Sequence, residues 1–212
     1  TTYEPEGSLE NMLALSHRVA AAGIEAANCS EPVSVVASLP PLNASYDHTV
    51  APNHESAYEQ YQELIQLQKH RVDGFLLETM SNMAEATAGA KAIQDEHVIG
   101  AVAFTLSDSD PSILRSGESL EDAITAVKPY EPSAILINCS VPEIVTDGMK
   151  IVRIWAAQSP HRRHCRNGHM EPSSSAERNT CLWNAISTSS TERLPWYMLF
   201  ELGSYQKTGT SQ

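Results

Sequence analysis

Residues 74–85 read GFLLETMSNMAE, and the way this stretch is read decides the fold. Gly74 to Met80 is short and almost uninterrupted in its apolar character, the pattern of a strand buried on both faces of a parallel sheet. Asn82, with Glu85 three residues on, has the spacing of a capping box that satisfies the orphan N–H groups of a helix's first turn. Strand thus runs directly into helix. Working outward, Val33 to Ser38, Val98 to Leu106 and Ala134 to Cys139 are further β-rich apolar runs. Between them, Met12, Leu15, Val19 and Ala22 recur at helical spacing, as do Tyr58, Tyr61 and Ile65, and each stripe is expected to pack on the sheet. Ser119 followed by Asp122 marks another helix start, Pro129 and Pro132 close that helix, and a further helix begins near Val141. Such alternation implies parallel crossovers and admits either a doubly wound sheet or a (β/α)8 barrel, which periodicity does not separate.

In both architectures chemistry gathers at the C-terminal ends of the strands. Here these are Ser38 to Pro41, Glu78 and Thr79, Thr105 to Asp108, and Asn138 to Ser140. Glu78 is the most informative carboxylate, because it closes the apolar run Phe75-Leu76-Leu77, where desolvation is costly without a partner. Its structural alternative is an acid that caps the helix starting near Asn82. Cys139 ends the last run. On its own it reads as a small buried hydrophobe, and as a thiolate it is a candidate nucleophile or metal ligand.

Composition narrows the function classes. The chain has 212 residues, 42% of them hydrophobic and 19% charged, the mix of a globular domain. Its net charge of −12 argues against a nucleic-acid partner, which needs a basic footprint. No run of eighteen apolar residues and no apolar signal core are visible, so neither a membrane nor a secretory route is expected. Cys29, Cys139, Cys165 and Cys181 form no C-x-x-C pair, which suits a reducing compartment and a cytoplasmic location. The charge is uneven, −15 over residues 1–152 and +3 over 153–212. The second segment also holds all three tryptophans and two Ser/Thr clusters, so 1–152 reads as the folding unit and 153–212 as a divergent, irregular tail. Within that tail His161, His164, Cys165 and His169 lie close together, but arginines interleave them and the spacing fits no standard finger, so a basic solvated loop is the preferred reading.

Several motifs in order carry a resemblance: Ser38-Leu39-Pro40-Pro41 with Ser45-Tyr46, FLLETM at 75–80, Phe104-Thr105-Leu106, Arg115-Ser116-Gly117-Glu118, and INCSVPE at 137–143. Together they resemble the homocysteine S-methyltransferase family over roughly residues 1–152. The resemblance implies a (β/α)8 TIM barrel, of which about four β/α units are recognisable here, so the barrel is expected to be incomplete. It further implies methyl transfer to the sulfur of homocysteine, with homocysteine and a methyl donor as small-molecule partners and a sulfonium compound, S-methylmethionine or S-adenosylmethionine, as the expected donor. By the same resemblance Glu78 and Asn138 are substrate-binding residues. Cys139 matches one of three cysteine thiolates that hold a zinc ion. The Gly-Gly-Cys-Cys stretch that supplies the other two does not occur in this chain. An inactive barrel fragment, self-associating through open sheet edges, is the alternative expectation.

Overall fold

The computed structural model describes residues 8–30 and 33–158. Helix α1 (Leu9–Ala27) is followed by strand β1 (Val36–Leu39), helix α2 (His54–Gln68), strand β2 (Gly74–Met80), helix α3 (Met83–Asp95), strand β3 (Gly100–Phe104), helix α4 (Leu120–Val127), strand β4 (Ile135–Ile137) and helix α5 (Pro142–Gln158). The four strands form one sheet in the order β1-β2-β3-β4, every pair parallel. The alternation expected from the sequence is therefore present, and α5 continues past residue 152 to Gln158. Residues 159–212, and with them most of the proposed tail, lie outside the described residues.

Side-chain caps set the helix starts. Ser8, Asn53, Asn82 and Ser119 each accept a hydrogen bond from the backbone N–H three residues on. In the Asn82 box the Glu85 carboxylate meets the Asn82 side-chain amide through Oε2 at 3.4 Å, while its Oε1 reaches the loop after β1. Three strands are shorter than their apolar runs. Val35 gives its N–H to the Asp73 carboxylate rather than to a ladder, and Val98 spends its N–H on Ile93 O at the end of α3. At β4 the chain leaves the sheet after Ile137, and Cys139 takes a left-handed φ of 51°.

The two faces of the sheet bury different sets. Ala37, Leu39, Phe75, Leu77, Val102, Phe104, Ile135 and Ile137 join Tyr61 and Ile65 of α2 and the alanines of α3 in the main core. Leu76, Ala101, Ala103, Ala134 and Leu136 form a second cluster on the opposite face. Strict alternation along β2 would put residue 79 with Phe75 and Leu77, yet Met80 takes that place. Glu78 and Thr79 together oppose the single residue Ala103, a β-bulge at the end of the strand, with Thr79 at φ 61°.

The stripe on α1 departs from expectation. No described residue of that helix is buried, and Leu15 and Val19 are each 52% exposed. Tyr61 and Ile65 of α2 are fully buried, as their spacing predicts. Close contact between α3 and β2 depends on Gly89, where an added Cβ would stand 2.5 Å from Leu77 Cδ1. Gly89→Ala is expected to destabilise the fold by about 1–3 kcal/mol through overpacking. Urea unfolding measures this, and adding Leu77→Val, which shortens the crowding side chain, should recover part of the loss.

Candidate active site

The C-terminal ends of the strands carry two neighbouring groups of hydrogen-bonded polar side chains. At the end of β2, Glu78 is only 3% exposed, and the Ser38 hydroxyl at the end of β1 donates to its Oε1. Burial raises the Glu78 carboxyl above the ordinary range, and the Ser38 hydrogen bond opposes that shift. No salt bridge reaches Glu78 among the described residues. Its charge is thus desolvated and held by one neutral donor, an arrangement that favours a cation arriving from outside the fold.

The bulge brings β2 to β4 across the end of β3. Thr79 N donates to Asn138 Oδ1 at 3.0 Å, and Asn138 Nδ2 donates back to Thr79 Oγ1 at 3.1 Å. The Thr79 hydroxyl then donates to Cys139 Sγ at 3.4 Å. Thr79 and Cys139 both occupy left-handed backbone, costly for residues with a Cβ and most of all for a β-branched one. The carboxamide bracket between them is what holds that geometry. From the other side, Thr105 Oγ1 donates to Cys139 O at 3.0 Å, and Ser140 Oγ accepts from Leu106 N at 2.9 Å.

A second buried group fixes the loop after β1. Glu85, 2% exposed, accepts from Leu42 N at 2.9 Å and from the Tyr61 hydroxyl at 3.2 Å. The same hydroxyl lies 3.0 Å from Pro40 O. Burial and the Glu85 charge hold the Tyr61 phenol well above its usual range, so it stays a neutral donor. This network locks Pro40 to Leu42 against α2 and α3, beside the strand end that carries Ser38.

Asn138 and Cys139, named from the sequence, therefore share a hydrogen-bonded assembly whose link is Thr79, whereas Glu78 precedes Thr79 in the chain and bonds to Ser38. Thr79 and Thr105 were visible there only as strand-end residues with no assigned part. Their common signal is a hydroxyl directly after an apolar run. For zinc the donor set falls short: no three His, Cys, Asp or Glu side chains gather among the described residues. One thiol already paired with a threonine hydroxyl does not fit an ion that takes at least three protein ligands. Cys165, Cys181 and the histidines at 161, 164 and 169 lie outside the described residues.

The sequence profile of homocysteine S-methyltransferases matches residues 2–191. The chain belongs to the homocysteine S-methyltransferase family. The match runs past residue 152, where the motif resemblance stops. Among solved structures, this homocysteine S-methyltransferase family member is similar to the apo form of the homocysteine methyltransferase MmuM from Escherichia coli, at 19% identity and a TM-score of 0.54, covering 71% of this chain and 58% of that one. The metallated form of MmuM gives 18% identity and a TM-score of 0.53, covering 66% and 51%. The chain thus spans between half and three fifths of the length of these structures, and at this identity the likeness bears on the fold alone. That fold is an α/β architecture of the TIM-barrel type, of which four strands are described here. No curated protein matches the sequence. Among the described residues no helix is long and apolar enough to cross a membrane.

Proposed function

We propose that this chain binds homocysteine and presents its thiol to a sulfonium methyl donor, S-methylmethionine or S-adenosylmethionine, giving methionine. The observation that carries the reading is Glu78, a desolvated carboxylate with no cation partner among the described residues, set in a family whose acceptor is an amino acid. Its Oε1, oriented by Ser38, would take the substrate ammonium, and Asn138 would line the same pocket while bracing Thr79. The homocysteine thiol loses its proton to solvent. Its sulfur then forms a bond to the methyl carbon, while the bond from that carbon to the sulfonium breaks and its electron pair neutralises the positive sulfur. What the residues contribute is alignment of the two reactants and exclusion of water, which is where most of the gain in such a displacement arises.

Purified full-length chain, incubated with homocysteine and each sulfonium donor in turn, should form methionine. Activity with betaine alone would overturn the donor assignment. The family resemblance makes Cys139 a zinc ligand, but it is the one such ligand in this segment and does not by itself fit the ion. Elemental analysis after dialysis against a mild chelator is expected to give well below one zinc per chain. A full equivalent that disappears in Cys139→Ala would mean that residues beyond 158 complete the site.

A second reading has its own support. The apolar stripe of α1 is exposed, and among the described residues no strand pairs with the outer edge of β1 or of β4. These features suit an incomplete, inactive barrel that self-associates. Light scattering separates the two readings: a compact monomer with cooperative unfolding would remove the second.

A further inference from the structure

We infer that Arg115 positions Cys139 by locking the Thr105 hydroxyl onto the Cys139 carbonyl, a role that matters for the site as proposed above. Arg115 sits on a rigid base. The segment after β3 folds back on itself through bridges Leu106–Leu114 and Ile113–Ser119, and Gly117 turns the chain at φ 88°. Ser116 N donates to Ser81 O at 3.1 Å, which ties this segment to the end of β2. The guanidinium is gripped on two sides. Asp108 accepts from Nη2 at 2.7 Å and from Nη1 at 3.3 Å, and the Tyr46 ring lies 4.8 Å from Cζ.

What remains of the fork points at the strand ends. Arg115 Nε donates to Thr105 Oγ1 at 3.1 Å, and Nη2 donates to Cys139 O at 3.4 Å. A threonine hydroxyl has one proton. With Arg115 filling a lone pair, that proton is directed to Cys139 O, 3.0 Å away. The carbonyl of a left-handed residue just beyond its strand is thereby held by two donors, while the Thr79 hydroxyl holds the sulfur from the opposite side. A lysine cannot reproduce this, because its single ammonium cannot engage Thr105, Asp108 and Cys139 in one plane.

The test compares wild type, Arg115→Met, Arg115→Lys and Asp108→Asn as full-length chains. Each is treated with iodoacetamide under native conditions, and peptide mass spectrometry gives the alkylation rate of Cys139 relative to exposed Cys29 in the same molecule. Releasing the strained, half-buried Cys139 should raise this ratio roughly fivefold in both Arg115 variants. Asp108 is more than half exposed, so Asp108→Asn should still fold, loosen the guanidinium and raise the ratio roughly twofold. That variant carries the test if the Arg115 variants do not fold. A purely structural role would lower the melting temperature without changing the ratio. An unchanged ratio in the Arg115 variants, or in Asp108→Asn where only that variant folds, overturns the inference, as does full restoration by lysine. Because alkylation needs neither homocysteine nor a methyl donor, a wild type that binds no homocysteine would defeat the proposed function and leave this result standing.

Discussion

Glu78→Gln should abolish measurable homocysteine binding and, at neutral pH, raise the melting temperature of the same protein. The binding loss follows from removing the charge that meets the substrate ammonium in a desolvated place, about 3 kcal/mol or on the order of 100-fold in Kd. Calorimetric titration of wild type and variant measures it. The stability gain follows from linkage. Burial raises the folded Glu78 carboxyl above its unfolded value, so the folded state holds that proton more tightly. The carboxyl's contribution is most favourable below the unfolded pKa and is lost as pH rises through the folded one. Glutamine keeps the shape and carries no charge at any pH. The melting-temperature difference between variant and wild type should therefore be positive at neutral pH and shrink toward zero in acid. A variant that melts lower at neutral pH would show that Glu78 is a stabilising structural acid, the alternative reading of this residue.

Glu85→Ala should lower stability by about 3 kcal/mol, a large part of the 5–15 kcal/mol typical of a domain. Its carboxylate is the acceptor for Leu42 N and shares the Tyr61 hydroxyl with Pro40 O. Removal strands a half-buried backbone donor and unpins the loop that follows β1. Urea unfolding with an unchanged slope is the measurement. Tyr61→Phe, which removes one donor and leaves Leu42 N satisfied, should cost about 1 kcal/mol. A loss in Glu85→Ala no larger than that would mean water replaces the carboxylate.

How far the sequence could be read depends on the range of the interaction concerned. The apolar runs at 74–80 and 134–139 and the caps at Asn82 and Ser119 are local signals, and they located the strand-helix units. The α1 stripe misled because periodicity shows that a helix has an apolar face and says nothing about what covers it. The bulge at Glu78 and Thr79 was invisible for a different reason: every residue of the strand is buried, so no in-and-out alternation marks where the register slips. Glu78 and Cys139 are singled out by their places at the ends of apolar runs, and Asn138 by the family motif alone. The ties of Thr79 to residues 138 and 139, and of Arg115 to Thr105, span 10 to 60 positions and are set only when the strand ends meet.

The bulge has an architectural consequence. Without Thr79, Met80 would fall on the helix-facing side by simple alternation, and the ladder between β2 and β3 would close with no interruption. The core has no need of the extra residue. Its insertion turns one strand end into a bracket for the neighbour two strands away, so the sheet supplies a generic platform and a single supernumerary threonine makes it specific. A mutational survey of this chain would therefore find two separable layers: positions whose loss melts the platform, and Thr79, whose deletion leaves the platform folded but removes its hold on Asn138 and Cys139.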